Sequence, residues 1–144
     1  MLRPLIGLYF FIFGTIQLGL WLALFHKYQT NNHFKPSAYW MVSLVTSVAA
    51  LFVFGYGVLS VKDVGRPELN FTVANTLFYV AALAQWLFCK SLNQPVSKRL
   101  DLIAKFSIIP FCIIFELLRQ YGTFELRTFY MMSIAFVMFT SQLY

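Results

Sequence analysis

Hydrophobic positions in this chain gather into five long runs, at 4–25, 38–61, 71–89, 102–118 and 128–144, parted by short polar gaps. The first three runs contain no Asp, Glu, Lys or Arg. A helix of about 20 apolar residues crosses a bilayer core of roughly 30 Å. Membrane strands are about half that length and alternate in polarity, which these runs do not. In hydrocarbon each backbone amide must find a partner within its own segment, which leaves helices. The pattern therefore predicts an all-α, polytopic membrane helix bundle of about five transmembrane helices. It is expected to form one domain over 1–144, with no soluble domain.

The gaps carry chain breakers: Asn31-Asn32 and Lys35-Pro36-Ser37, Gly65-Arg66-Pro67, Asn93-Gln94-Pro95, and Tyr121-Gly122-Thr123. Connections this short make consecutive helices antiparallel neighbours. Aromatic residues collect near the ends of the runs (Trp21, Phe25, Tyr28, Tyr39, Trp40, Trp86 and Tyr121), as in an interfacial belt.

Helical spacing assigns faces. Ser43, Ser47, Ala50 and Gly57 share a stripe in the second run, and Gly7 and Gly14 offer a flat strip in the first. In the third, Ala74, Asn75, Ala81, Ala82 and Gln85 share one side, while Val73, Leu77, Val80 and Leu87 share the other. Small and polar residues face protein in membrane bundles, because close backbone approach and interhelical hydrogen bonds replace the hydrophobic force. The Val/Leu stripe is expected to meet lipid. A ligand pathway along the polar stripe is the alternative to packing.

Composition agrees: 60% of residues are hydrophobic and 11% charged, whereas soluble domains are nearer a quarter charged. A net charge of +6 could suggest nucleic acid, but the basic residues are spread over every gap, at helix ends where such side chains reach headgroups. Nucleic acid is therefore not an expected partner. Cys89 and Cys112 show neither a disulfide framework nor a metal spacing. Arg3 followed by an apolar run resembles a signal peptide, but the run is too long and no small-x-small site follows; it reads as a retained span.

Lys and Arg divide five against five between the two sides, leaving Lys105 within a run. Lys98-Arg99 with nearby Lys90 is the densest cluster, which places that gap in the cytoplasm, the N-terminus outside and the C-terminus inside.

Few groups could carry chemistry. An intramembrane carboxylate is a functional hypothesis by default, and Glu116 is the acid nearest a membrane interior. Three residues before Arg119, it shares that residue's helix face, so an interfacial ion pair competes with a proton or solute site. Asp101 and Lys105 make a similar pair. Asn75 lies within the third run and is expected to seek a partner on a neighbouring helix. Pro110 interrupts the fourth run and predicts a kink. His26 and His33, seven apart with no nearby Cys or carboxylate, make a poor metal site. No phosphate loop or catalytic motif appears. No catalytic, cofactor or metal residue is expected; Asn75, Gln85, Glu116 and Arg119 are the candidates for an intramembrane polar or packing site.

From Tyr39-Trp40, through Gly65-Arg66-Pro67 and Ala74-Asn75-Thr76-Leu77, to Ala84-Gln85-Trp86-Leu87-Phe88 and Gln94-Pro95, the chain resembles a bacterial multi-span sensor region. Such regions precede GGDEF (diguanylate cyclase) domains, and sometimes histidine kinases. The resemblance covers roughly 39–99. It departs where Phe88 and Lys90 stand in place of two arginines, and no GGDEF signature or kinase core lies within the 144 residues. It implies a detached input module, or a short relative that works through a partner, and no catalytic residue.

The expectation is a non-enzymatic, integral membrane sensory or regulatory module of the bacterial inner membrane. It would be multi-pass and would transmit a signal to a cytoplasmic effector or a membrane partner protein, with the lipid bilayer as its surroundings and a homo-oligomer left open. A small transporter or channel subunit, or an accessory subunit of a larger membrane complex, is the alternative.

Overall fold

A computed structural model describes residues 2–30, 37–60 and 68–142. The gap residues Asn31-Asn32, Lys35-Pro36 and Gly65-Arg66-Pro67, together with His33 and the last two residues of the fifth run, lie outside the described residues. Five helices follow in order: α1 (Leu2–Thr30), α2 (Ala38–Ser60), α3 (Leu69–Asn93), α4 (Lys98–Tyr121) and α5 (Phe124–Gln142). No strand occurs among the described residues. Most helices outrun their apolar runs, because residues flanking a run still gain intrahelical hydrogen bonds.

Three helices are long and apolar enough to cross a membrane: Pro4–Thr30, Ala38–Ser60 and Leu69–Asn93. They mark the chain as membrane-associated. The other two differ for visible reasons. α4 carries Lys98, Arg99, Asp101 and Lys105 in its first two turns and Glu116 and Arg119 near its end, which leaves only the stretch 106–115 without charge. α5 has 19 residues, with Glu125 and Arg127 at its start.

The tightest packing joins α2 to α3. Ala50 and Ala74 are both 0% exposed, and a Cβ at Gly57 would stand 3.4 Å from the Asn70 Cβ, so small residues let the two helices approach closely. Phe54 of α2 sits edge-on to Phe71 and Phe78 of α3, at centroid distances of 5.2 and 6.4 Å. Trp40 stacks on Phe88 at the opposite end, which fixes the pair as antiparallel. The small stripe of α2 does what its spacing implies: Ser43, Ala50 and Gly57 are buried. α1 packs on α2 alone among the described helices. Gly7 and Gly14 form the flat strip; a Cβ at Gly7 would come within 2.7 Å of the Leu59 side chain. Phe10 and Phe11 close on Phe54 and Phe52 at 4.7 and 5.6 Å.

α3 is the hub, touching α2, α4 and α5. This overturns one expectation. Leu87 does not meet lipid: it is 4% exposed and forms a core cluster with Leu83 and Ala104, ringed by Tyr79, Trp86 and Met138. Gln85, expected to face protein, is exposed instead. A helix with neighbours on two sides buries more than one stripe, so the polarity of a single face does not say which side is covered.

The α3–α4 connection is four residues long, and Ser97 ends it as a cap: its hydroxyl accepts from the Leu100 N–H at 3.2 Å. The α4–α5 connection is only Gly122-Thr123. Gly122 donates its N–H to the Leu118 carbonyl at 2.9 Å. A Cβ there would stand 2.6 Å from that carbonyl oxygen, so the turn needs glycine for space. α4 runs on through Pro110.

Candidate functional site

The side-chain hydrogen bonds that join different helices along α4 lie at three levels. α4 runs antiparallel to α3 and presents one face to it. Near its start, the Tyr39 hydroxyl of α2 donates to Asp101 Oδ1 at 3.3 Å. Midway, the Tyr79 hydroxyl of α3 donates to Ser107 Oγ at 3.0 Å, and Ser107 donates to the Ala104 carbonyl at 2.7 Å. The Tyr79 ring lies flat on Phe111, at 4.1 Å and 3°. Near the far end, the Thr72 hydroxyl of α3 donates to Glu116 Oε2 at 2.7 Å. The buried face of α4 is the stripe Ala104, Phe111 and Phe115. At about 100° per residue Ser107 flanks it on one side and Asp101 and Glu116 on the other, so the three bonds hold α4 from both sides of its buried face.

Glu116 is the most connected group of the seam. Its Oε2 also accepts from Arg119 Nε at 2.8 Å, and its Oε1 accepts from Arg119 Nη2 and from Gln120 Nε2 at 2.9 Å. A carboxylate offers about four lone-pair positions, and four donors occupy them. Arg127 of α5 donates to the Arg119 carbonyl at 3.3 Å, which extends the cluster to a third helix. The expected Glu116–Arg119 pair therefore forms, and it is more than an interfacial pair on one helix: through Thr72 and Arg127 it ties α3, α4 and α5 together.

At the other end, Lys105 bonds Asp101 at 2.6 Å, as its i,i+4 spacing implies.

The remaining candidates fall elsewhere. Asn75 was expected to bond a neighbouring helix; instead its amide donates to the Phe71 carbonyl of its own helix at 2.6 Å. An amide one turn from a carbonyl finds that partner without any neighbour. Gln85 lies ten residues further along α3, about 15 Å away by helical rise. It lines a groove of 270 Å³ between α2, α3 and α5, formed mainly by apolar side chains such as Phe78, Met131 and Phe139, with Ser47, Tyr79 and Gln142 as its other polar members. No charged residue lines this groove. His26 is exposed at the end of α1. Cys89 and Cys112 are unbridged and half-buried.

Sequence reasoning passed over Tyr39, Thr72, Tyr79 and Ser107. A hydroxyl inside an apolar run was the available signal, but such residues also bond their own helix, as Thr46 and Thr76 do here at 2.8 Å. Spacing cannot tell the two uses apart. No family model matches the chain, and no curated protein or solved structure matches it significantly.

Proposed function

We propose that the chain is a non-enzymatic, multi-pass sensory or regulatory module of a bacterial inner membrane, in which all five helices span the bilayer. In this reading a signal is passed by moving the α4–α5 hairpin against the α1–α3 unit, toward a cytoplasmic effector or a membrane partner. The observation that carries it is the seam along α4. Three hydroxyl-mediated bonds add to the packing of Ala104, Phe111 and Phe115 in holding this helix to α2 and α3, where the α2–α3 seam relies on small residues. Interhelical hydrogen bonds in membranes average about 0.6 kcal/mol, so such a set can be exchanged at modest cost. The resemblance of 39–99 to sensor regions points the same way. The charges of α4 suit a span whose termini reach the headgroups, with Lys105 able to extend its ammonium outward.

A transport role for Glu116 would require the carboxylate to take up a proton or a solute. Its acceptor positions are already filled by Thr72, Arg119 and Gln120, and it does not line the groove. The test is reconstitution of the purified protein in liposomes loaded with a pH-sensitive dye, beside the Glu116→Gln variant. Both should give the same silent trace across candidate solutes. A solute-driven pH change that disappears in Glu116→Gln would replace the sensory reading with transport. Dual reporters at Asn32, Gly65, Gln94 and Thr123 test the five spans: they should alternate, with Asn32 and Gln94 cytoplasmic.

A further inference from the structure

The antiparallel order of α1 to α4 sorts the charges of the chain into two ends. Assigned by helix end and by chain order through the gaps, one end holds six bases (Lys27, Lys35, Lys90, Lys98, Arg99, Lys105) and a single acid, Asp101. The other holds five bases and four acids, Asp63, Glu68, Glu116 and Glu125. Counting basic residues with Lys105 set aside had made the two sides equal; Lys105 and the acids make them unlike, and nearly all of the chain's net charge of +6 belongs to the first end.

At that end the lone acid is already engaged by Lys105 and Tyr39. Lys98 and Arg99 are exposed and have no ion pair among the described residues. They stand in the first turn of α4, where the helix dipole disfavours positive charge, so the fold itself does not call for them there. Lys90, in the last turn of α3, lies just across a four-residue connection. The depth of this end is marked as well. Trp40, in the first turn of α2, stands at this end and stacks on Phe88 of α3. Tryptophan favours the headgroup level of a membrane. α3 and α4, with 25 and 24 residues, are each about 37 Å long, which brings their ends into the headgroup layer rather than beyond it.

We propose that Lys90, Lys98 and Arg99 form a docking surface for the headgroups of anionic phospholipids. The short connection between α3 and α4 keeps these cations at headgroup depth, which favours lipid over an acidic protein surface lying further out. The surface would anchor the start of α4, the helix that carries the exchangeable seam, to the charged leaflet.

The proposal rests on the membrane-spanning reading above, and one experiment separates the two. The protein is reconstituted in vesicles, and its tryptophan fluorescence is quenched by brominated phosphatidylglycerol or by brominated phosphatidylcholine. The expected result is preferential quenching by the anionic lipid, about fivefold for each cation engaged, reduced by high salt. The preference should fall to near unity in Lys90→Gln/Lys98→Gln/Arg99→Gln and persist in Lys62→Gln/Arg66→Gln; circular dichroism checks that both variants keep their helices. If the triple variant does not fold, the salt dependence of the unaltered protein and the Arg99→Gln single variant decide the matter by the same criteria. Equal quenching by the two lipids, or a preference unchanged in the variants that remove these cations, overturns the proposal and leaves the basic end to an acidic protein. Failure of the membrane reading looks different: neither brominated lipid quenches.

Discussion

The two seams of α3 are built from different materials. Toward α2 it presents Ala74, Ala81 and Ala84 to a partner stripe of Ser43, Ala50 and Gly57, and the backbones lie close. Toward α4 it presents Tyr79 and Thr72, whose hydroxyls reach Ser107 and Glu116, with an aromatic stack between. The first seam gains from many small dispersion contacts, and a gap of only about 0.5–1 Å forfeits roughly a quarter to a half of each. The second joins the packing of Leu83 and Leu87 on Ala104 to a few directional bonds whose partners can be exchanged. One helix thus belongs to a tight unit, α1–α3, and at the same time holds a looser hairpin, α4–α5. No residue of α5 is buried.

That contrast sets the size of mutational effects. The largest is expected in the tight seam. Ala74→Leu inserts three carbons where the native residue is 0% exposed, and overpacking of this kind costs about 3 kcal/mol. Thermal unfolding in detergent should show a large loss, and an unchanged midpoint would mean that the α2–α3 approach is looser than described. Glu116→Ala should come next, at about 2 kcal/mol. Removing one partner of a buried pair costs more, but the Glu116 and Arg119 side chains here keep 27% and 17% of their exposure. The same unfolding assay measures it, and a loss below a few tenths would reduce the cluster to a surface pair. Tyr79→Phe removes one hydroxyl and keeps the stacked ring, so about 0.6 kcal/mol is expected. Asn75→Leu should be close to neutral, since the amide bonds only its own helix among the described residues. A clear loss of stability there would reveal a partner on another helix.

The sequence made the helices legible because run length and the absence of charge are local properties. Gly7, Gly14, Ala50 and Gly57 were readable as packing positions, since small residues at helical spacing have one common use in a membrane. The Glu116–Arg119 and Asp101–Lys105 pairs were readable for the same reason: both partners lie on one helix. What could not be read depends on which helix lies beside which. Thr72 and Glu116 are 44 residues apart and Tyr39 and Asp101 are 62 apart, and nothing in either segment names the other. Leu87 and Gln85 exchanged their expected environments because α3 has neighbours on two sides.

In the proposed reading the α4–α5 hairpin is latched to a tighter α1–α3 unit by the hydroxyl bonds of the seam. Distances between spin labels test it most directly. With Cys89 and Cys112 replaced by Ser, one label pair is placed at exposed Leu59 of α2 and Leu126 of α5, and a second at exposed Leu8 of α1 and Tyr56 of α2. In the double variant Thr72→Val/Tyr79→Phe, double electron–electron resonance should show a second population for the α2–α5 pair and an unchanged distribution for the α1–α2 pair. If both pairs stay as in the unaltered seam, or both broaden together, the molecule is a single unit and the latch does not exist.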